Sequence, residues 1–220
     1  MKPPTKTALF DAAKRWDAAA VAANHAAAPE LVGASDPRGR MALHLACAVK
    51  PGAAGLAERD GTQTAAALLA AGAGLEAAVP MDADEGDFRA TPVWYATARG
   101  ETLALVRFLL ARGADASPCL WAAVWRDDPV MLGALLAAKP RLNLIAHGET
   151  PLFSAARLKR LKTLKLLIEA GADPSIPDRQ GRDAVAIARA RRLPKEVVAR
   201  LEEARARKNA GFRCAPPQEA

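Results

Sequence analysis

Short apolar runs with helical spacing recur along the chain in pairs, and a polar break divides each pair. Residues 91–115 read TPVWYATARGETLALVRFLLARGAD, and residues 150–173 repeat the pattern as TPLFSAARLKRLKTLKLLIEAGAD. The Thr-Pro step suits a helix N-terminus, because threonine can cap the helix and proline lacks an N–H that would have no partner there. A second helix with paired leucines follows each break. The pattern therefore predicts a series of helical hairpins.

The second helix of a hairpin is predicted to end at a glycine. Gly72, Gly113 and Gly171 each follow such a leucine pair. Glycine after a helix readily takes the left-handed conformation that other residues resist. A helical hairpin cannot bury its apolar side alone, so consecutive hairpins are expected to stack into an array.

These residues resemble the ankyrin repeat, whose pattern opens T-P-L-H-x-A and closes L-L-x-x-G-A-D. The opening appears as TPLFSAA, TPVWYATARG and MALHLAC, the closing as LLIEAGAD, LLARGAD and LLAAGAG, and the turn before a repeat as DPRGR and DRQGR. The resemblance implies an all-α solenoid of stacked helix-turn-helix units, with one ankyrin-repeat domain over residues 1–210 and a C-terminal tail at 211–220. About six repeats are predicted, the outer two as atypical caps: 5–35, 36–76, 77–117, 118–144, 145–177 and 178–210.

Several departures from that pattern predict irregular stacking. Its histidine survives only as His44. The openings at Thr91 and Ser117 lie 26 residues apart, against 33 from Ser117 to Thr150, so the turn that precedes a repeat (the finger) is missing here. Residues 51–62 are expected to lengthen one inter-helix loop. One finger is enlarged and acidic, with Asp82, Asp84, Glu85 and Asp87.

Composition narrows the class of protein. Aromatic residues make up only 5% and alanine dominates, which predicts thin buried layers between closely approaching helices. The chain has three cysteines without paired spacing, which favours a reducing compartment and a cytoplasmic location. No stretch approaches 18 uninterrupted apolar residues, so no membrane span is predicted.

The formal net charge of +7 is concentrated in the last third of the chain. Residues 157–213 carry 16 Lys or Arg against 7 Asp or Glu, whereas residues 1–155 carry 15 against 16. Solvated helix faces are often this basic, and an acidic partner would also suit them. Phosphate-directed binding of nucleic acid by this segment is the alternative, although no recognition motif or stacking platform accompanies it.

Candidate catalytic and metal-binding chemistry is sparse. His44 and Cys47 could share a helix face, but no second pair of ligands has zinc-site spacing. The acidic residues of the enlarged finger do not follow the calcium-loop pattern. No serine lies in a G-x-S-x-G turn, and Cys119 falls where a repeat places a buried aliphatic side chain. The sequence therefore predicts no metal, no cofactor and no catalytic residue.

The resemblance implies that one face of each first helix lines a concave groove, which together with the finger tips contacts partner proteins. Residues four apart share a helix face. The pairs on this face are Asp11 and Arg15, Leu45 and Val49, Tyr95 and Arg99, Trp121 and Trp125, Ser154 and Leu158, and Ile187 and Arg191.

Aromatic side chains fall in the middle of this expected groove. Aromatic residues and arginine dominate the binding energy of many interfaces, so Tyr95, Trp121 and Trp125 with the surrounding arginines suit a partner. Alternatively, the two tryptophans fill the space that the missing finger leaves. The predicted partner-binding residues are Arg38, Arg40, Tyr95, Arg99, Trp121, Trp125, Arg157, Leu158, Arg179, Arg182 and Arg191.

The sequence thus predicts a monomeric, non-catalytic scaffold that binds a protein with an acidic surface. The alanine- and arginine-rich composition is typical of a GC-rich bacterial source. Bacterial proteins of this kind include immunity proteins that block a toxin and effectors delivered into hosts, and composition does not rank these roles.

Overall fold

Helices pair into six hairpins that follow one another along the chain in this computed structural model, which describes residues 4–80 and 89–213. The first helices of the hairpins are α1 (Lys6–Lys14), α3 (Ala42–Cys47), α6 (Pro92–Tyr95), α8 (Leu120–Arg126), α10 (Pro151–Arg157) and α12 (Ala184–Ala190). The second helices are α2 (Ala18–Ala27), α5 (Glu58–Ala70), α7 (Leu103–Leu110), α9 (Pro129–Ala137), α11 (Leu161–Glu169) and α13 (Lys195–Arg213), and α4 (Pro51–Ala54) lies between α3 and α5.

The hairpins stack in two layers. The first helices form one layer, in which α1 packs against α3, α3 against α6, α8 against α10, and α10 against α12. The second helices form the other, from α2 through α5, α7, α9 and α11 to α13. A row of buried leucines and alanines lies between the layers. The predicted all-α ankyrin solenoid is confirmed.

The helix ends follow the signals in the sequence. Gly72, Gly113 and Gly171 have φ values of +94°, +91° and +86°, which confirms the predicted left-handed helix ends. At the start of α10, the Thr150 hydroxyl accepts a hydrogen bond from the Phe153 N–H at 3.2 Å. Such a cap satisfies one of the N–H groups that have no partner within the helix.

A short antiparallel ladder forms the base of the enlarged finger. Strand β1 (Val79–Pro80) pairs with β2 (Arg89–Ala90), Val79 opposite Ala90. The ladder sets the position at which the finger leaves the solenoid. The acidic residues predicted for its tip lie outside the described residues: Asp82, Asp84, Glu85 and Asp87.

The connection between α3 and α5 spans residues 48–57, whereas residues 158–160 join α10 to α11, which confirms the predicted lengthening. The predicted segment 51–62 is nevertheless not all loop, because it includes α4, and α5 already begins at Glu58. The early part of α5 is fixed by Trp16, because a β carbon at Gly61 would lie 2.8 Å from the indole ring. The same indole donates to the Ala46 carbonyl at 2.8 Å. The last part of the segment therefore extends the second helix toward the N-terminal hairpin.

The last helix closes the C-terminal end of the stack. It runs to Arg213, three residues beyond the predicted boundary at 210, and residues 214–220 of the predicted tail lie outside the described part. Val197 and Leu201 are buried against the preceding hairpin. Within the described residues, no helix has the length and apolar character needed to cross a bilayer.

Candidate functional site

Most of the first helices end at a residue in the left-handed conformation, and this fixes the register between hairpins. The residue after this left-handed one donates its N–H to the carbonyl of the residue five positions before it. Asp128 donates in this way to Ala123 at 3.0 Å, and Arg160 donates to Ala155 at 2.9 Å. Ala123 and Ala155 therefore occupy equivalent positions. The left-handed residues, with φ between 53° and 58°, are Trp16, Glu101, Asp127, Lys159 and Arg192.

This register corrects the predicted alignment of the fourth repeat by one residue. The predicted alignment matches Trp121 with Ser154. In the structure Trp121 lies two residues before Ala123, and Phe153 lies two residues before Ala155, so Trp121 matches Phe153. Likewise Trp125 takes the place of Arg157 rather than that of Leu158. The residues in this repeat that match Ser154 and Leu158 are Ala122 and Arg126.

The register error has a physical cause in the missing finger. The Asp115 carboxylate accepts hydrogen bonds from the N–H and the hydroxyl of Ser117 at 2.9 and 2.5 Å. Ser117 therefore completes a tight turn instead of capping a helix as Thr150 does. A 3₁₀ turn, Ser117–Cys119, then leads directly into α8.

One extra residue enters the first helix of the third repeat through a π-helical turn, Ala96–Gly100. The Thr102 N–H donates to the carbonyl of Ala96 at 3.2 Å, six positions back instead of five. The turn presses Gly100 against the preceding repeat, since a β carbon there would lie 2.3 Å from the Cys47 carbonyl oxygen. Such π turns are frequent at functional sites.

Three tryptophans meet in a hollow of about 460 Å³ on the layer of first helices. We call it the central hollow. Trp94 and Trp121 are half-buried, whereas Trp125 is 63% exposed. The predicted residues Arg99, Arg157 and Leu158 also line it. The remaining lining residues are Ala98, Ala122, Val124, Arg126, Ala146, His147, Glu149 and Ser154.

Sequence reasoning missed Trp94. It was assigned to the position that His44 occupies in its own repeat, where the side chain is expected to face a finger. The His44 ring accepts from the Met41 N–H at 3.1 Å and lies 2.8 Å from the Ala77 carbonyl, next to the enlarged finger. After the third repeat the finger is missing, so Trp94 faces the groove. The sequence carried a signal for this position, because the third repeat has no histidine there and no finger follows the repeat.

A second hollow of about 390 Å³ continues the groove toward the N-terminal repeats. Trp94 and Arg99 line both hollows, so the two are adjacent. The Tyr95 ring meets the rings of His44 and Trp94 edge-on, at centroid distances of 5.4 and 5.3 Å. The other residues that line this hollow are Arg38, Arg40 and Ala48.

Two of the predicted arginines are bound within their own turns. Arg40 pairs with Asp36 at 2.7 Å, and Arg182 pairs with Asp178 at 2.6 Å. Burial raises the pKa of Asp36, but hydrogen bonds from Arg40 and Arg38 outweigh it and leave the pKa below its usual value. Arg40 and Arg182 therefore close the D-x-x-G-R turns and present only part of their guanidinium groups to solvent.

Arg157 is held in place at the edge of the central hollow. Its Nε lies 2.8 and 3.1 Å from the two carboxylate oxygens of Glu149, which also accepts from the Ser154 hydroxyl at 2.6 Å. The Arg157 carbonyl accepts from Arg191 Nε at 2.8 Å. Arg191 is thereby fixed to the preceding repeat rather than directed into the hollow.

The other predicted arginines are more available. Arg38, Arg99 and Arg179 are exposed, and none of them forms an ion pair within the described residues. Arg179 and Arg182 lie outside both hollows, and the Arg179 side chain lies across Gly148, where a β carbon would be 2.5 Å from its Cγ. Of these three arginines, Arg99 lies at the central hollow.

Arg126 is a lining residue that the shifted register concealed. It donates to the carbonyls of Thr97 and Ala98 at 3.3 and 2.5 Å and pairs with Glu101 at 2.9 Å. Lys50 pairs with the same carboxylate at 2.5 Å. Hydrogen bonding from Lys50 and the charge of Arg126 lower the pKa of Glu101 despite its partial burial. This network joins the second, third and fourth repeats beside the groove.

His44, Cys47 and Cys119, considered for metal or nucleophile chemistry, are buried. Both nitrogens of His44 are occupied, and burial raises the pKa of Cys47 far above its usual range and that of Cys119 to about 12. Thiols with raised pKa values are poor nucleophiles and poor metal ligands. Within residues 4–80 and 89–213, no three His, Cys, Asp or Glu side chains lie close enough together to hold a metal ion.

The basic last third divides into neutralised and free cations. Arg189 pairs with Glu202 at 2.5 Å, and Arg205 pairs with Asp183 at 2.7 Å. The remaining cations are concentrated near the turns between the helices of the last two hairpins. Near these turns, the cations without an ion pair to any described residue are Lys159, Arg160, Lys162, Lys165, Arg192 and Lys195. Elsewhere in this segment Arg179, Arg191, Arg207 and Lys208 also form no ion pair with a described residue.

Comparison with known proteins identifies what the chain is similar to. A family model described as ankyrin repeats (3 copies) matches residues 18–178. The crystal structure of an ankyrin repeat domain from Acinetobacter baumannii AYE aligns at 25% identity and a TM-score of 0.69, covering 89% of this chain and 96% of that one. The ankyrin repeat domain of Bcl-3, a member of the IkappaB protein family, shares the fold at 23% identity, a TM-score of 0.57, and coverages of 89% and 97%. Human neurogenic locus notch homolog protein 4 is 45% identical over 55 residues, which span 25% of this chain and 3% of that protein.

Proposed function

The chain belongs to the ankyrin-repeat proteins, and we propose that it is a non-catalytic scaffold whose concave groove binds a partner protein. Ankyrin repeats generally mediate protein–protein interaction. The observation that carries the proposal is the central hollow, where Trp94, Trp121 and Trp125 meet. Large, rigid aromatic side chains at the centre of a concave surface are typical of the residues that dominate binding energy. Trp125 is 63% exposed, so most of its surface is not covered by the described residues.

We propose a partner with an acidic surface. The free guanidinium groups of Arg38 and Arg99 lie along the same groove, and Arg179 extends the basic rim. Arginine presents a planar fork of donors that matches a carboxylate, and complementary charge accelerates association. Three further arginines are bound by Asp36, Glu149 and Asp178. They contribute to the shape and the positive potential of the surface, but offer few free hydrogen-bond donors.

A quantitative capture experiment tests the groove. Trp125→Ala combined with Arg99→Ala should weaken partner binding by roughly 2 kcal/mol or more, because both side chains line the central hollow. The matched control combines Val130→Ala with Arg107→Ala on the second helices, where Val130 is 60% exposed and Arg107 is also exposed. Equal recovery of the partner by both folded variants would remove the groove assignment.

The cellular setting belongs to the same proposal. We propose a monomeric, cytoplasmic protein of bacterial origin, and the likeness to the Acinetobacter baumannii domain along 89% of the chain supports the bacterial origin. Immunity against a toxin and delivery into a host as an effector are both compatible with a binding groove. Rescue of cells from a co-expressed toxin would identify immunity, and translocation of a reporter fusion into host cells would identify an effector.

Nucleic-acid binding by the basic last third is the second candidate. The six cations without ion pairs near the turns of the last two hairpins favour it. If they bind phosphates, affinity for duplex DNA should fall steeply and linearly with log salt, because counterions are released. Absence of binding at about 50 mM salt would eliminate this candidate.

A further inference from the structure

The groove wall has an opening beside the central hollow. Between the second and third repeats, the chain forms the β1–β2 ladder. Between the fourth and fifth, Ala146 and Glu149 close a hairpin with two backbone hydrogen bonds of 3.1 and 3.0 Å. Between them, the tight turn from Asp115 to Ser117 leads directly into α8. We call this opening the notch.

The notch is a fixed feature, because its turn is fastened on both sides. The Asp115 N–H donates to the Glu76 carboxylate at 3.0 Å, and the Asp115 carboxylate pairs with Arg141 at 3.2 Å. The Arg141 N–H also donates to the Ser117 hydroxyl at 2.9 Å. These contacts join the preceding finger to the following hairpin beneath the opening. Trp121, four residues after Ser117, lines the central hollow, and so do Ala146 and Glu149 of the following hairpin, so the notch lies beside the central hollow.

The central hollow suits a bulky apolar side chain. Its volume of about 460 Å³ falls in the range of pockets that hold small ligands, and exceeds the volume that one methyl or isopropyl group would fill. Two of the residues that line it beside the three indoles, Ala98 and Ala122, have small side chains. Indole faces offer flat apolar area that is lost from water when an aliphatic or aromatic side chain packs on it.

The charges around the hollow favour a carboxylate beside that side chain. Glu149 is its acidic lining residue, and Arg157 and Ser154 already occupy that carboxylate. Arg126 is bound to Glu101, whereas Arg99 keeps its guanidinium group free of ion pairs with the described residues. The guanidinium group of Arg99 would repel a cationic side chain that enters the hollow. It would donate hydrogen bonds to a carboxylate.

We propose that the central hollow takes one bulky apolar side chain of an extended, acidic segment of the partner protein, and that the segment enters through the notch. This proposal rests on the groove assignment made above and gives the partner its chemistry. Recognition then requires an apolar anchor on the three tryptophans and a carboxylate within reach of Arg99. The notch allows an extended chain to cross the finger edge where a regular repeat would block it.

Selection from a random library of twelve-residue peptides displayed on phage tests this chemistry with the full chain as bait. The selected peptides should share a bulky apolar residue with an acidic residue close to it. Synthetic versions without tryptophan can be titrated by protein fluorescence, because three of the four tryptophans line the hollow and Trp16 is buried as an internal reference.

Matched variants decide whether the selected peptides occupy the hollow. Trp125→Ala should reduce their affinity at least about tenfold, and Arg99→Ala should remove the preference for acidic over amide versions of the same peptide. Val130→Ala on α9 should leave the affinity unchanged. A selection without the shared pattern, or peptides that bind Trp125→Ala as well as the unmodified chain, would overturn the proposal.

The two proposals fail in different ways. If the whole partner loses binding to the groove variants but the peptides show no apolar and acidic pattern, the groove assignment stands and the anchor chemistry is wrong. If the peptides behave as expected but the whole partner binds the groove variants normally, the hollow takes such segments and the partner uses another surface.

Discussion

His44 shows how one side chain can join two repeats. It is fully buried, its Nδ1 accepts from the Met41 N–H, and its Nε2 reaches the Ala77 carbonyl. With Nδ1 as acceptor, the neutral ring carries its proton on Nε2 and donates to Ala77. Burial lowers the pKa of His44, since the charged form would lose its hydration.

Acidification should therefore destabilise the chain through His44. An unfolded histidine has a pKa near 6.5, so below that value the unfolded state binds the proton more readily than the folded state. The contribution of neutral His44 to the free energy of unfolding is complete above about pH 6.5. It is lost as the pH falls toward the lower pKa that His44 has in the folded state. His44→Phe should flatten this dependence, because phenylalanine does not bind a proton. The fold should tolerate the substitution, since phenylalanine already occupies the matching positions, Phe10 and Phe153.

Urea unfolding at about pH 8 and about pH 5.5 measures the difference, because carboxylates with lowered pKa values lose their contribution only at lower pH. If the free energy of unfolding decreases equally from the higher to the lower pH in the unmodified chain and in the His44→Phe variant, the role given to His44 is contradicted. The carboxylates with lowered pKa values are Asp36, Glu101, Asp115 and Asp178.

Two glycines should respond to alanine in opposite directions. Gly100→Ala would place a β carbon 2.3 Å from the Cys47 carbonyl oxygen, a backbone atom that the helix holds, so we expect a loss of more than about 2 kcal/mol. Gly133 lies within α9 with open space around it, and Gly133→Ala should stabilise the chain by about 0.5–1 kcal/mol. Thermal unfolding of both variants measures the contrast, and a stable Gly100→Ala variant would contradict the close approach.

At the scale of elements, helical spacing was enough to predict the hairpins and the three glycine helix ends. Two features could not be read from local pattern. Ser117 followed by proline looked like the Thr150 step, and only the hydrogen bonds from Ser117 to Asp115 reveal a tight turn. The π turn adds one residue without any change in the apolar pattern. Both lie beside the central hollow, so the site was predicted less accurately than the fold.

At residues 51–62 the predicted lengthening of the connection is confirmed, but the predicted end of the loop is not. Packing of Gly61 on Trp16 extends α5 to Glu58, so the last part of the segment is helical. The insertion could be predicted from the repeat spacing, whereas this tertiary contact could not. The pairing of Arg40, Arg157 and Arg182 with carboxylates also depends on distances in the folded chain, so sequence alone could not separate bound from free arginines.

Trp16 should be important for stability, whereas Trp125 should not. Trp16→Phe removes the donor of the buried Ala46 carbonyl and loosens the contact with α5, so we expect a loss of about 1–3 kcal/mol. Trp125→Phe should change stability by less than about 0.5 kcal/mol, because the side chain is 63% exposed. Denaturant unfolding measures both; similar losses would mean that Trp125 has a packing role.

Over the whole molecule, the charge distribution predicts a salt-dependent interaction. Free arginines along the groove should attract an acidic partner, and salt screens exposed charges. Partner affinity should therefore decrease several-fold as salt rises, and Arg99→Ala should reduce that dependence. The Val130→Ala variant should retain it. Affinity that does not change with salt in the unmodified chain would argue against an acidic partner.

Hydrogen exchange of the chain, alone and saturated with its captured partner, tests most directly whether the groove is the binding surface. We expect protection at the residues around the two hollows, in the ranges 38–48, 94–101, 120–126 and 146–158, while α7 and α9 exchange as in the free chain. Protection confined to the second helices, with the three tryptophans' segments unchanged, would contradict the account.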